Sequence, residues 1–422
     1  MIDIKLIREN PDVVREGIRK KQGDVALVDR VLEVDGQRRS LRQETETLQA
    51  EQNAQSKDMA ANPQNGELRE KLKGLSESIK EKRTRLSELD EQYLVLMRQV
   101  PNTPAADVPE GASDKENVVV RTVGDKPDFG FTPKDHEELC LALDLLDTER
   151  AARLTGAKFY YLKNELVILE QAVLRFALDV IRAKGFTPMR VPTLAKADVF
   201  YGAGHFATPE DAEDGDAYRL ERDELYLVGT AEVALAGYHA DETLAESSLP
   251  LRYAGVSSCY RREAGTYGKE TRGLYRVHEF QKIEMFALTR PEDSETEHAA
   301  LLAIAEDLLQ KLGLSYQVVL NCGGDLGTPQ SKKWDIETWM PGMGKYGETH
   351  SCSNDTDWQA RSLNIRFKHE AEEKAEFVHT LNNTAIASPR ILIAILENNQ
   401  REDGSIAIPE VLIPYTGFSE IR

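Results

Sequence analysis

Cysteine is scarce in this sequence, with 4 residues in 422. Cys140, Cys259, Cys322 and Cys352 are too widely spaced for the close Cys pairs of a zinc knuckle, and no His-x3-5-His pair accompanies them. Neither a structural zinc nor a disulfide framework is expected, and the thiols read as buried groups of a reducing compartment. No apolar run approaches the ~20 residues that a membrane-spanning helix needs. The first ten residues alternate apolar with charged side chains where a secretory leader would be continuously apolar. A cytoplasmic protein without a membrane partner is therefore expected. No G-x-x-x-x-G-K-[ST] phosphate loop occurs, and a Rossmann or P-loop nucleotide site is not expected. Positive charge is also short: the formal net charge is −19. Such a balance argues against a broadly basic nucleic-acid surface. The deficit is uneven, however. Residues 27–98 hold 13 Lys and Arg against 14 Asp and Glu, so nearly all of the excess acidity lies elsewhere.

That near-neutral segment carries a heptad pattern. In its second half, Leu68, Leu72, Leu75, Ile79, Leu86, Leu89, Tyr93 and Leu96 recur at steps of three and four, with Lys82 at the one skipped position. This is the seam of a coiled coil. The first half keeps the phase with Leu27, Val31, Val34, Leu41, Leu48 and Met59, but Arg38, Thr45, Gln52 and Gln55 fill seam positions. Between the halves, Pro63 ends one helix and Gly66 permits a turn. The prediction is an antiparallel two-helix hairpin of about 33 residues per helix, an arm roughly 50 Å long that projects from any globular core. Arg38, Arg39, Arg42, Lys57, Arg69, Lys71, Lys73, Lys80, Arg83 and Arg85 are expected on its outer faces, where they suit a polyanionic partner; a dimerisation coiled coil is the alternative.

Residues 1–26 read as a short helix and connector, and the Pro- and Gly-rich stretch 100–134 as a boundary. The expected organisation is an N-terminal domain over 1–104 with its arm at 27–98, a linker over 105–134, and a second domain over 135–422. In that second domain, β-rich runs at Glu224–Val228, Arg276–Leu288, Tyr316–Leu320 and Glu376–Leu381 gather towards the C-terminal half with little βαβ alternation. An α+β fold on a mixed, largely antiparallel sheet follows.

The chemistry concentrates in Tyr260-Arg261-Arg262-Glu263, a polar loop from Ala264 to Gly273, and the run Leu274–Phe286. It reads as strand, loop, strand. Arg261 and Glu263 alternate by two, as do Phe280, Lys282, Glu284 and Phe286, so each set shares a face. Lone charges are costly to bury, so such a face suits a phosphate clamp, a base stacker and an amine binder better than a core.

The R-x-E, loop and aromatic strand resemble motif two of the class II aminoacyl-tRNA synthetases. Gly185 to Pro192, after the apolar helix around Leu166–Ile181, resembles motif one, and Thr380 to Glu397, with Arg390 at the start of a helix, resembles motif three. Thr230-Ala231-Glu232, the Thr380–Thr384 strand and the N-terminal hairpin are similar to features of the seryl branch of that family. The resemblance spans the chain, and it implies an antiparallel sheet flanked by helices that cradles ATP, with an antiparallel coiled-coil arm for tRNA.

It also implies roles. Arg261 and Arg390 are the catalytic cations, on the α- and γ-phosphates. Arg261, Arg262, Glu263, Val277, His278, Glu279 and Phe280 line ATP, with Glu263 on the adenine amino group and Phe280 stacked on the ring. Glu348, Thr349, His350 and Ser351 continue the nucleotide site, Glu348 holding magnesium. Thr230, Ala231, Glu232, Arg261, Glu284, Asn382 and Thr384 bind L-serine. The partners implied are tRNA(Ser), tRNA(Sec) as well, and a second copy of the chain in a homodimer formed through motif one. Two departures stand out: the run before Arg390, Ala385 to Pro389, lacks the family's glycines, and His350 replaces a serine. Two other readings keep parts of the pattern. One is a seryl-adenylate enzyme that loads a carrier protein; the other is a catalytically dead coiled-coil scaffold.

Overall fold

The computed structural model describes residues 1–263, 273–369 and 374–422. The greater part of the polar loop, Ala264 to Arg272, lies outside the described residues. The chain forms two compact units.

One unit comprises Ile2–Arg19 and Gly23–Val100. It holds α1 (Ile4–Glu9), α2 (Pro11–Lys20), α3 (Leu27–Ala61) and α4 (Gly66–Gln99). The Asn65 side chain accepts from Leu68 N and starts α4. The seam expected from the heptads is the seam observed: Ile79 and Leu89 are buried, Leu68, Leu72, Leu75, Lys82, Leu86, Tyr93 and Leu96 are half-buried, and the intervening residues of α4 are mostly exposed. Arg83 Nη2 donates to Gln49 Oε1 at 2.9 Å and Lys71 pairs with Glu51 at 3.0 Å, which fixes the antiparallel register.

Arg38 is a correction. It is not on an outer face but in the seam, with its guanidinium 3.8 Å from the centroid of the Tyr93 ring and Nε donating to Asp90 at 2.6 Å. An aromatic face and a carboxylate together let a cation occupy a heptad position. Asp35 is the other charged group inside, 1% exposed, and accepts from Arg8 Nε at 2.8 Å and Nη2 at 2.7 Å. Burial alone would raise its carboxyl; the Arg8 fork, with Arg39 and Arg38 nearby, outweighs this and holds it below the usual range.

The other unit comprises Met1, Lys20–Gln22 and Pro101–Arg422. Its main sheet has eight strands: β1 (Val118–Val123), β2 (Thr187–Arg190), β3 (Leu251–Tyr260), β4 (Glu279–Thr289), β5 (Tyr316–Leu320), β6 (Lys332–Met340), β7 (Lys345–Thr356) and β8 (His379–Ala387), in the order β1-β5-β6-β7-β8-β4-β3-β2. All neighbours are antiparallel except β2 and β3. This is the expected α+β fold on a mixed, largely antiparallel sheet. The segment 105–134 supplies β1, an edge strand. The run expected at Arg276–Leu288 becomes a strand only from Glu279, and that at Glu224–Val228 forms a short strand, Leu225–Leu227, outside the main sheet. The spacing from Gly342 to Gly347 matches G-x-G-x-x-G, but it is the turn of the β6–β7 hairpin and opens no helix, so it is not a dinucleotide loop.

Helices α5 (Glu165–Ala183), α6 (Ala197–Ala203), α7 (Ala231–Ala236), α8 (Ser294–Lys311), α9 (Trp358–Leu363) and α10 (Ser388–Asn398) complete the part that concerns the site. One sheet face, with Ile283, Met285, Ala287, Leu381 and Ala385, forms the main core with α5, α8 and α10. A second cluster gathers Phe200, Tyr226, Val228, Leu235 and Phe286. Phe286 and Leu288 thus lie on the strand face opposite Met285, the face that carries Phe280, Lys282 and Glu284.

Arg8→Ala leaves Asp35 without its fork. The arm unit should lose about 1–2 kcal/mol at neutral pH, a figure reduced because Arg8 is partly exposed. Asp35 sits below its unfolded value, so this contribution is complete above the unfolded carboxylate range and vanishes as pH falls through the folded value. Denaturation followed by helical circular dichroism at neutral and acid pH should show the difference shrinking at acid pH.

Candidate functional site

A cleft opens on the face of β4, β7 and β8 that carries the polar side chains. Strand alternation delivers Asn382 and Thr384 of β8 into it, while Asn383 between them turns to the other face and donates to Leu301 O at 2.8 Å. The same rule delivers Phe280, Lys282 and Glu284 from β4, and Ser351 and Ser353 from β7.

At one end lie two carboxylates. Thr230 caps α7, its Oγ1 accepting from Glu232 N at 3.2 Å, and this turn aims Glu232 into the cleft. Glu232 Oε1 accepts from Gln359 Nε2 at 2.8 Å and from Asn382 Nδ2 at 3.2 Å, and Oε2 lies 3.6 Å from His205 Nε2. Burial would raise this carboxyl, but the His205 and Gln359 contacts, with the Lys282 charge, hold it below the ordinary range. Asn382 Nδ2 also donates to the buried Asp355 at 3.2 Å. Asp355 is pushed well up by burial and the Glu232 charge. The second carboxylate, Glu284, is paired with Lys282 on its own strand.

At the other end, Arg261 lies with its guanidinium 5.4 Å from the centroid of Phe280, and Arg390 sits 4.6 Å from that of Tyr275. Arg390 Nη1 donates to Glu348 O at 2.8 Å and Oε2 at 3.2 Å. Burial would raise the Glu348 carboxyl; Arg390 and Lys333 outweigh it and hold it low. Glu263 pairs with Arg276 at 3.1 Å. The strand alternation expected for Arg261 and Glu263 needs correction. β3 ends at Tyr260, and Glu263 has φ 48°, in the left-handed region. What holds the pair in place is a loop: Arg261 N donates to His278 O at 3.0 Å, and Glu263 N to Asp216 Oδ1 at 2.7 Å.

The cleft thus gathers Thr230, Glu232, Arg261, Glu263, Val277, Phe280, Glu284, Glu348, Thr349, Ser351, Asn382, Thr384 and Arg390 of the expected residues. Ala231, Arg262, His278, Glu279 and His350 are not among its lining. Ala231 is fully buried in α7. His278 packs on Phe159 with Nδ1 2.9 Å from Arg261 O, and Glu279 accepts from Tyr260 Oη at 3.2 Å. Arg262 N donates to Asp216 O at 2.8 Å.

His350 faces the core side, with Nδ1 2.8 Å from Thr349 Oγ1 and Nε2 3.0 Å from Ala385 O. Burial pushes its pKa down to about 4, so it stays neutral near neutral pH and is no proton carrier there. His205, Tyr275, Arg276, Lys282, Gln330 and Ser353 line the cleft without having been assigned from the sequence. Lys282 and Ser353 were accessible through strand alternation; His205 and Gln330 come from segments that no periodicity links to the site.

Comparison with known proteins identifies the family. Residues 218–399 match the tRNA synthetase class II core domain (G, H, P, S and T), and residues 1–104 match the seryl-tRNA synthetase N-terminal domain. A serine--tRNA ligase of Dictyoglomus turgidum is 47% identical over 428 residues, covering 100% of this chain and 99% of that one. The chain belongs to the seryl-tRNA synthetase family. Among solved structures, the seryl-tRNA synthetase of Pyrococcus horikoshii complexed with ATP superposes with TM-score 0.91 at 42% identity, covering 100% and 99% of the two chains. The cytoplasmic serine-tRNA ligase of Naegleria fowleri in complex with AMP gives 0.87 at 31%, again with 100% and 99% coverage.

Within this family fold, the closeness of α7 to β3 sets the position of Glu232. Gly255 of β3, opposite Glu284 in the ladder, allows it: a Cβ there would meet Leu235 Cδ1 at 2.7 Å and Ala231 Cβ at 2.9 Å. Gly255→Val should therefore push α7 outward and lower stability by about 1–3 kcal/mol. Steady-state kinetics should show a higher KM for the amino acid and a nearly unchanged KM for ATP.

Proposed function

We propose that this protein is a serine--tRNA ligase that activates L-serine with ATP and transfers it to the 3′ end of tRNA(Ser), and of tRNA(Sec) as well. The observation that carries this reading is the pairing, in one cleft, of a doubly acidic, amide- and hydroxyl-lined end with an end bearing two arginines and an aromatic face.

The serine ammonium goes to Glu232 and Glu284, beside Thr230. Asn382 and Thr384 meet the side-chain hydroxyl. A pocket that hydrogen-bonds a hydroxyl rejects alanine, because its own polar groups would be left unpaired. Arg261 spans the serine carboxylate and the α-phosphate, a task suited to a planar fork. Glu263 accepts from the adenine amino group, Phe280 stacks on the ring, and Arg390 grips the γ-phosphate.

Glu348, with the Thr349 and Ser351 hydroxyls, offers the hard oxygen donors that magnesium prefers. Among the described residues no three His, Cys, Asp or Glu side chains cluster to hold a metal. That fits an ion that takes most of its ligands from phosphates and water. Such an ion would neutralise phosphate charge.

In the first step a serine carboxylate oxygen attacks the α-phosphorus, a new P–O bond forms, and the bond to the bridging oxygen breaks to release pyrophosphate. In the second, a ribose hydroxyl of the terminal adenosine attacks the carbonyl carbon and AMP leaves. No protein nucleophile is required; Arg261 and Arg390 act by positioning and charge neutralisation. The arm binds tRNA through backbone and shape. The exposed Val167 and Ile168 of α5 support a homodimer formed through the motif-one segment. The absence of a helix long and apolar enough to cross a membrane among the described residues is consistent with work in the cytoplasm.

ATP–pyrophosphate exchange with each amino acid, without tRNA, tests the reading: serine alone should support exchange, and exchange with another amino acid would overturn it. Arg261→Ala should reduce serine-dependent exchange by at least ~100-fold. Deleting residues 37–95 should leave exchange near normal and abolish charging of tRNA; retention of charging would refute the role of the arm.

A further inference from the structure

The strongest unassigned feature of the cleft is Lys282. It and Glu284 sit two residues apart on the same face of β4, with side chains 7% and 2% exposed, and they are in ion contact. Both line the cleft. The Lys282 ammonium contacts Glu284 Oε2, an atom with almost no solvent exposure. A buried carboxylate is costly unless a cation or donor meets it. Among the described residues, the charged groups that act most on this carboxylate come from three places. Lys282 lies on its own strand, Glu232 on α7, and Arg261 beyond β3. The Cys259 and Cys352 thiols lie close by on β3 and β7, and burial keeps both protonated. His205 and Asp355 face Glu232 rather than Glu284.

We propose that Lys282 is a positioning residue for the amino-acid substrate: it is a resident counter-cation that keeps Glu284 an anionic acceptor and leaves the pocket one negative charge for the incoming ammonium. This rests on the serine reading above.

The charge count supplies the reason. Glu232 and Glu284 contribute two negative charges and Lys282 returns one, while Arg261 is matched by the substrate's own carboxylate. One ammonium then neutralises the pocket. Without Lys282, two carboxylates would face each other in a site poor in water, and one would take up a proton. Burial, with the Glu232 charge, leaves Glu284 above the ordinary carboxylate range even beside Lys282, and Lys282 is the principal group that opposes the rise. A protonated Glu284 would offer a donor where the substrate needs an acceptor. The pair also separates charge from geometry. Lys282 needs no contact with the substrate to set the affinity, because it fixes the state of the group that does.

The test compares the full-length protein with Lys282→Met, Lys282→Arg and Glu284→Gln across about pH 6 to 8.5, below the titration of a free amine and above that of an ordinary carboxylate. Lys282→Met should raise KM for serine at least ~10-fold near the acid end, with the defect shrinking as pH rises and Glu284 ionises. KM for ATP should stay within about twofold, and Lys282→Arg should restore a flat pH profile. An equal rise in both KM values, or a serine defect independent of pH, would show a structural role and overturn the proposal.

Infrared difference spectra of the unliganded wild-type protein against Glu284→Gln give a second readout that depends on neither the Met variant nor the substrate. An ionised carboxylate at neutral pH is expected. A protonated carboxyl band for Glu284 in the wild-type protein overturns the proposal even if the Met variant does not fold. Failure of the serine reading would appear separately, as exchange in the wild-type protein that does not require serine.

Discussion

Between β4 and β8 the ladder runs Lys282 opposite Ala387, Ile283 opposite Ile386, and then Glu284 opposite Thr384. Ala385 is left over. This single extra residue brings an acidic group of one strand level with a hydroxyl of the next, on the face that opens to the cleft. It also turns two successive residues of β8, Ala385 and Ile386, into the main core. A bulge leaves a backbone carbonyl without a strand partner. His350 from β7 supplies the donor, through Nε2 to Ala385 O at 3.0 Å. A neutral imidazole is suited to that place: it can donate at one nitrogen and accept from Thr349 at the other, with no charge to bury. The residue that looked anomalous in the nucleotide motif is therefore explained by the backbone behind the motif.

The chemistry of the cleft is mainly a problem of matching charge where water is scarce. At the end with Glu232 and Glu284, carboxylates outnumber resident cations, so that end is suited to one further positive charge. At the nucleotide end, Arg261 and Arg390 lean on aromatic faces and backbone carbonyls, which keeps their forks oriented. The two ends meet at Arg261, whose Nε donates to Gly229 O at 3.2 Å. That bond ties the arginine to the same turn from which Thr230 and Glu232 project, so a single short segment sets the distance between the two ends of the cleft.

Legibility of the fold and site followed the range of the physics involved. The arm was readable because a heptad is a local pattern, and each seam position from Leu68 to Leu96 is sheltered where the spacing requires. Phe280 and Glu284 were placed on one face because strand alternation is local too, whereas Asn382 and Thr384 were named by the family resemblance. Arg261 and Glu263 reach the cleft by another route than the alternation suggested, since the strand stops at Tyr260 and contacts with Asp216 and His278 hold the turn. Arg38 reads both as a seam filler and as an outer-face cation, and only its distant partners, Tyr93 and Asp90, decide for the seam. Gln330 and His205 in the cleft, and Gln359 behind Glu232, left no signal, because what brings them there is the packing of α6, α9 and the loop before β6.

The arm's seam is unequal along its length. Leu27, Val28, Val31, Leu89 and Met97 are buried at one end, whereas from Ala60 to Glu67 every residue is exposed, and Gln52 and Gln55 occupy seam positions in between. In mechanical terms the hairpin is a tapered cantilever, rigid at its root and compliant at its tip. A sideways load at the Asn62–Gly66 turn would be taken up as bending in the polar outer third, while the root kept its register.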